Sequence, residues 1–128
     1  MISKKHRFHG HASLKYLLSH GVTARGRELS IKFVDNRRRH YSRVAIIVSK
    51  KVLRHATERN RARRRLYEIM RTRIPKFNRT IDLAIIVYRA DVLTMSHAEL
   101  VRSVDKCLTK LCVIDTNGSQ DTTTGDRI

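Results

Sequence analysis

Residues 59–73 hold seven arginines and no lysine, with Ala62, Leu66, Ile69 and Met70 spaced among them. Placed around a helix at about 100° per residue, those four apolar side chains share one arc. Asn60, Arg63, Arg64, Tyr67 and Arg71 share the arc beside it, and Arg61, Arg65 and Glu68 fall on the far side. A solvated basic tail would not keep such an apolar stripe. The segment therefore reads as an amphipathic helix docked on a core, with Thr57 placed to cap it and Pro75 to stop it. Like charges three and four residues apart repel along a helix. A rigid row of arginines is thus expected to meet something strongly negative, and the planar guanidinium fork suits phosphate better than a diffuse anionic surface.

The rest of the chain supplies a core for this helix. "ELSIKFV" (28–34) alternates apolar and polar residues, "RVAIIVS" (43–49) is rich in β-branched residues, and "IDLAIIVY" (81–88) is nearly all apolar. These three runs read as strands, the first two joined by a basic hairpin loop, "DNRRRHYS" (35–42). "HASLKYLLSH" (11–20) puts Leu14, Leu17 and Leu18 on one helical face, with Gly21 where a C-terminal cap belongs. Ser96 and Glu99 form a capping box, with Met95 and Leu100 as its hydrophobic staple. The helix that follows carries Leu100, Val101, Val104, Cys107, Leu108 and Leu111 at amphipathic spacing.

At 128 residues and 41% hydrophobic content, the chain makes one domain. Its expected extent is 1–112, followed by a polar, disordered tail over 113–128. The net charge is +17, and residues 50–79 hold 12 basic residues against 2 acidic, a net +10. Focused charge of this kind marks a binding face for a polyanion, with nucleic acid ahead of an anionic membrane. No run is long and apolar enough to span a bilayer, and the start lacks the apolar stretch of a secretory signal. Cys107 and Cys112, five apart in the last helix, fit neither a metal site nor a disulfide framework and read as reduced thiols of a cytoplasmic protein. The seven histidines show no metal-ligand spacing. No acid/base constellation for a hydrolase is visible.

"VSKKVLRHATERNRARRRLYE" resembles the signature of the bacterial ribonuclease P protein component. There a strand ending in Ser-Lys-Lys is followed, about ten residues on, by an Arg-Asn-Arg helix; here these are Ser49-Lys50-Lys51 and Arg59-Asn60-Arg61. "HRF" before the first helix, "HG" closing it, and "DLAIIVYR" extend the likeness over about residues 5 to 111. The resemblance implies an α+β fold: a two-layer α-β sandwich, helix-strand-strand-strand-helix-strand-helix, with a left-handed βαβ crossover. It also implies a protein with no catalytic residues of its own. One copy would bind one ribonuclease P RNA and the 5′ leader of precursor tRNA, and would take no small-molecule substrate. The RNA subunit would carry out metal-dependent cleavage with Mg2+ that it holds mainly itself. The RNA-binding residues so implied are Lys50, Lys51, Arg59, Asn60, Arg61, Arg63, Arg64 and Tyr67, where Tyr67 replaces an arginine common in the family. The leader cleft would involve Leu14, Tyr16, Leu18 and Lys32. Leu14 and Leu18 stand where the family usually has phenylalanines, and Lys32 where it often has an aromatic residue. Leader binding is then expected to rest on charge or on Tyr16, and for Leu14 and Leu18 the plain core reading is preferred.

Three other functions compete. A ribosomal or ribosome-assembly protein would share size and charge but not the spacing from Ser-Lys-Lys to Arg-Asn-Arg. A DNA-binding regulator would mix Asn, Gln and Ser among its basic residues to read bases. A standalone nuclease would need the acid/base groups that are missing.

Overall fold

A computed structural model describes residue 6, residues 12–36 and residues 40–114. In chain order it contains α1 (Ala12–His20), β1 (Val22–Arg25), β2 (Leu29–Asp35), β3 (Arg43–Val48), α2 (Ala56–Arg73), β4 (Ile81–Val87) and α3 (His97–Lys110). One-turn 3-10 helices lie at Ile74–Lys76 and Ala90–Leu93. The α+β class and the order of helices and strands match the expectation. β1 is the strand the sequence did not reveal.

The four strands form one sheet in the order β1-β2-β4-β3, with β2 antiparallel to β1 and β4, and β3 parallel to β4. The expected hairpin between β2 and β3 is therefore not formed: β4 separates them. The reason lies at the two ends of their connector. Arg43 donates to both carboxylate oxygens of Asp82 on β4, at 3.0 and 2.7 Å, and Asn36 donates to the same carboxylate at 2.8 Å. Ser42 Oγ accepts from the Ile81 amide at 3.0 Å, and the Asn36 amide donates to Thr80 O at 3.0 Å. All of these groups except Thr80 are buried, where a paired charge is tolerated and an unpaired one is not. The polar ends of the connector thus hold the start of β4 between them. Residues 37–39, its arginines, lie outside the described residues.

Side chains alternate across the sheet. Leu29, Ile31 and Phe33, with Val44, Ile46 and Val48, and Ile81, Leu83, Ile85 and Val87, face α2 and α3 and form the main core. Ala62, Leu66, Ile69 and Met70 enter it from α2, as their arc requires; Leu100, Val104, Cys107 and Leu108 enter from α3. The other face carries Ala45 and Ala84, on which Leu17 of α1 is buried, with Leu14 and Leu18 half-buried beside it. Two alanines leave room for a helix to lie close. Helix α1 therefore adds a partial third layer to the sandwich.

The helix ends divide into those legible from sequence and those not. Ser96 and Glu99 form the capping box, at 3.1 and 3.0 Å, and Pro75 follows the end of α2. Thr57 is not a cap: α2 starts one residue earlier with His55 at the N-cap and no side-chain cap bond. The start is held instead by Arg59, whose guanidinium donates to Leu53 O at 3.0 Å and Arg54 O at 2.8 Å. Gly21 closes α1 through a bond from its amide to Leu17 O at 2.8 Å. Its need for glycine is spatial, since a Cβ there would collide with Lys32 Cγ and Leu17 O.

Helix α3 ends in a Schellman turn: Cys112 N donates to Thr109 O at 3.0 Å and Val113 N to Leu108 O at 3.4 Å. Cys112 occupies the left-handed position, φ 58°, so it follows the helix rather than belonging to it. Both cysteines are free, Cys107 buried and Cys112 exposed; burial pushes the Cys107 thiol up, which keeps it a neutral core residue. Val113, expected in the tail, is fully buried, and Ile114 bridges to Phe77. The folded domain therefore reaches 114, two residues past the expected boundary, and residues 115–128 lie outside the described residues.

Candidate nucleic-acid interface

Lys50 and Lys51 stand exposed in the turn that leaves β3, where the amides of Val52 and Leu53 both donate to Ser49 O at 3.1 Å. The turn delivers the chain to α2, so the two exposed lysines precede the arginine helix by one short loop. The seven arginines of that helix are not equivalent. Three bond to groups outside the helix, and a fourth, Arg71, bonds within it. Arg59 secures the helix start, as above. Arg65 donates to Val92 O and Met95 O, both at 2.6 Å, and so grips the segment that leads into α3. Arg73 clasps both oxygens of Asp105 on α3 at 2.6 and 2.9 Å, which raises its pKa. Arg71 pairs with Glu68 at 2.6 Å, and this bond lowers the Glu68 carboxyl below its usual range.

The other three arginines make no bond outside the helix among the described residues. Arg61 and Arg64 are exposed and make no hydrogen bond or ion pair within the described residues. Arg63 donates to Asn60 Oδ1 at 2.9 Å, which orients it along the exposed side of the helix. Tyr67 is half-buried against the core, so its ring supports the helix more than it extends the surface. Exposed guanidinium donors without an acceptor among the described residues, as at Arg61 and Arg64, are what phosphate recognition needs.

The residues assigned to a leader cleft lie on the opposite face of the sheet. Lys32 Nζ donates to Leu18 O at 2.7 Å, placing a cation at the C-terminal end of α1, where the helix dipole favours it. Leu14 and Leu18 pack in the small cluster around Leu17, so these two and Lys32 do come together. Tyr16 does not join them: it is 55% exposed and stacks on His20, with ring centroids 4.3 Å apart. The two groups of residues that the resemblance implies thus lie on opposite faces of the sheet.

Sequence reading missed one aromatic on this face. Tyr88, just past β4, is 40% exposed, and its hydroxyl lies 2.7 Å from Ser30 Oγ. The Arg25 guanidinium lies 6.0 Å from the centre of its ring. Arg25 belongs to β1, so the missed strand hid the arrangement. The register of Arg25 opposite Ser30 could have exposed it.

The family model for Ribonuclease P matches residues 2–112. Among solved structures, a Staphylococcus aureus RNase P protein mutant with defective mRNA degradation activity superposes with a TM-score of 0.77 at 22% identity, covering 87% of this chain and 92% of that one. Another structure of the S. aureus RNase P protein gives 0.75 at 21% identity, covering 86% and 98%. The Thermotoga maritima RNase P protein gives 0.71 at 20% identity, covering 81% and 96%. At these identities the structural likeness speaks for the fold, and the family match over nearly the whole described domain carries the assignment. With its strand, Ser-Lys-Lys turn and Arg-Asn-Arg helix, this chain belongs to the ribonuclease P protein family.

Proposed function

We propose that this protein is the protein subunit of a cytoplasmic ribonuclease P, binding the catalytic RNA through Lys50, Lys51, Arg61, Arg63 and Arg64 and assisting 5′ maturation of precursor tRNA. The observation that carries this reading is the pair Arg61 and Arg64, exposed and without acceptors among the described residues, on a helix held by Arg59, Arg65 and Arg73, in a chain of this family. Arg59 and Asn60 act in support, one fixing the helix start and the other orienting Arg63. The α1 face, with Leu14, Leu18 and Lys32, contacts the 5′ leader. Two RNA-binding surfaces on opposite sides of one sheet let a single protein bridge catalyst and substrate, one protein per RNA. No helix among the described residues is long and apolar enough to cross a membrane.

Cleavage belongs to the RNA. Among the described residues no three His, Cys, Asp or Glu side chains converge as metal ligands, and the Mg2+ of the reaction is assigned mainly to the RNA subunit. Neutralising phosphate lowers the cation concentration a folded RNA needs. The test is precursor tRNA cleavage by the cognate ribonuclease P RNA with and without the purified protein. Stimulation concentrated at low Mg2+, with no cleavage by protein alone, is expected. Metal-dependent cleavage by the protein alone, or an RNA subunit indifferent to it, overturns the reading.

A further inference from the structure

We propose that Tyr88 and Arg25 form a nucleotide-binding position on the sheet face beside α1, in which Tyr88 stacks a base of single-stranded RNA and Arg25 holds its phosphate. The proposal rests on the leader-binding reading of that face and deepens it.

The ring is held in place. Ser30, whose Oγ lies 2.7 Å from the Tyr88 hydroxyl, is itself 1% exposed, so the anchor is part of the buried sheet. The Tyr88 amide donates to Glu28 O at 2.8 Å, tying the backbone to the start of β2. Both ends of the residue are thus fixed while 40% of it stays open. A ring held at both ends presents its open face without further ordering to a base that stacks on it.

The surroundings favour a nucleotide. Strand register aligns Arg25, Ser30, Ile86 and Ile47 across all four strands, and Thr23, Lys32, Ala84 and Ala45 across the row next to it. Two strand residues advance about 7 Å, so Lys32 stands roughly that far from Ser30. Ile86 and Ile47 are half-buried and give the row an apolar floor. Arg25 sits over the Tyr88 ring at the outer edge of cation–π range, with an exposed side chain. An aromatic face flanked by one bonded cation, Lys32, and one exposed cation, Arg25, suits a base with its phosphate, and stacking accepts any base.

The test compares Tyr88→Leu, Tyr88→Phe and wild type in the holoenzyme, measuring affinity for precursor tRNA and for mature tRNA. Tyr88→Leu is expected to weaken precursor binding about tenfold and to leave mature tRNA unchanged; Tyr88→Phe, which keeps the stacking face, restores most of the loss. A wild type that prefers leader-bearing RNA, with a Tyr88→Leu variant equally able, overturns the stacking position alone. A wild type without that preference overturns the leader reading itself. The stacking position then still meets a separate test. The chain has no tryptophan, so Tyr88→Trp supplies a single fluorophore. Quenching by a short oligouridylate supports stacking, and fluorescence unchanged at saturating oligouridylate overturns it.

Discussion

Arg65 Nη2 lies 2.6 Å from the carbonyl oxygen of Met95, the residue just before the N-cap of α3. The arginine-rich helix α2 is therefore also a strut, and on the proposed function its charges divide between holding the fold and meeting RNA.

That division predicts two kinds of variant. Arg65→Ala leaves two carbonyls without their charged donor, at a cost of about 1.5–3 kcal/mol. The melting temperature should fall by about 5–10 °C. Arg65→Lys rescues little of this, since an ammonium cannot span both oxygens with a planar fork. Arg61→Ala and Arg64→Ala should leave the melting temperature unchanged or slightly raised. Each should lower affinity for ribonuclease P RNA and flatten its salt dependence by about one unit for every phosphate no longer neutralised. Melts and salt titrations of the three variants separate the two roles.

The free protein should be stabilised by anions that resemble phosphate. Arg61, Arg64 and their neighbours repel one another along α2 until an anion sits between them. Sulfate bound only by the native state raises stability with its concentration. At matched ionic strength, sulfate should then raise the melting temperature above its value in chloride. The gap should shrink in an Arg61→Ala, Arg64→Ala double variant.

Cys112 occupies a left-handed backbone position, φ 58°, that strains any side chain bearing a Cβ. Its turn is otherwise well made, with both Schellman bonds present and Val113 buried against Leu108. Cys112→Gly should therefore stabilise the fold by about 0.5–1 kcal/mol and raise the melting temperature by a few degrees. Cys112→Ala keeps the strain and should not.

The capping box carries a pH signature. The Glu99 carboxyl is held below its usual range by the hydrogen bond from the Ser96 amide, then by the Ser96 hydroxyl. A lowered folded-state pKa adds stability above the ordinary glutamate value of 4.5, lost as pH falls through the lowered one. Wild type should melt higher than Glu99→Gln at neutral pH, and the difference should close in acid. A gap that persists at about pH 2, below the carboxyl's titration, would place the effect elsewhere.

Much of this fold was legible because the apolar residues keep strict periods. The arc of Ala62, Leu66, Ile69 and Met70 is the buried face of α2, and the capping box at Ser96 fixes the start of α3. What escaped depends on interactions between distant residues. Strand β1 is four residues long with only Ala24 buried, so it has no alternation to read. Nothing local places β4 between β2 and β3; that order comes from Asp82 meeting Arg43 and Asn36 from elsewhere in the chain. Arg65 read as an outward charge because the 3-10 turn at Ala90–Leu93 that covers it lies 25 residues further on. For the candidate site, the motif located the arginines, while which of them bond to the rest of the fold, and the place of Tyr88 beside Arg25, followed only from the structure.

The central position of β4 has a consequence for synthesis. Until residue 87 exists, β3 has no sheet neighbour and β2 has only β1. Helix α2 is translated before the strand that completes its docking surface, and an isolated helix crowded with like charges barely holds together. On the ribosome the chain therefore presents its arginines as an uncoiled cationic segment, and a polyanion encountered at that stage would act as a template on which the crossover closes.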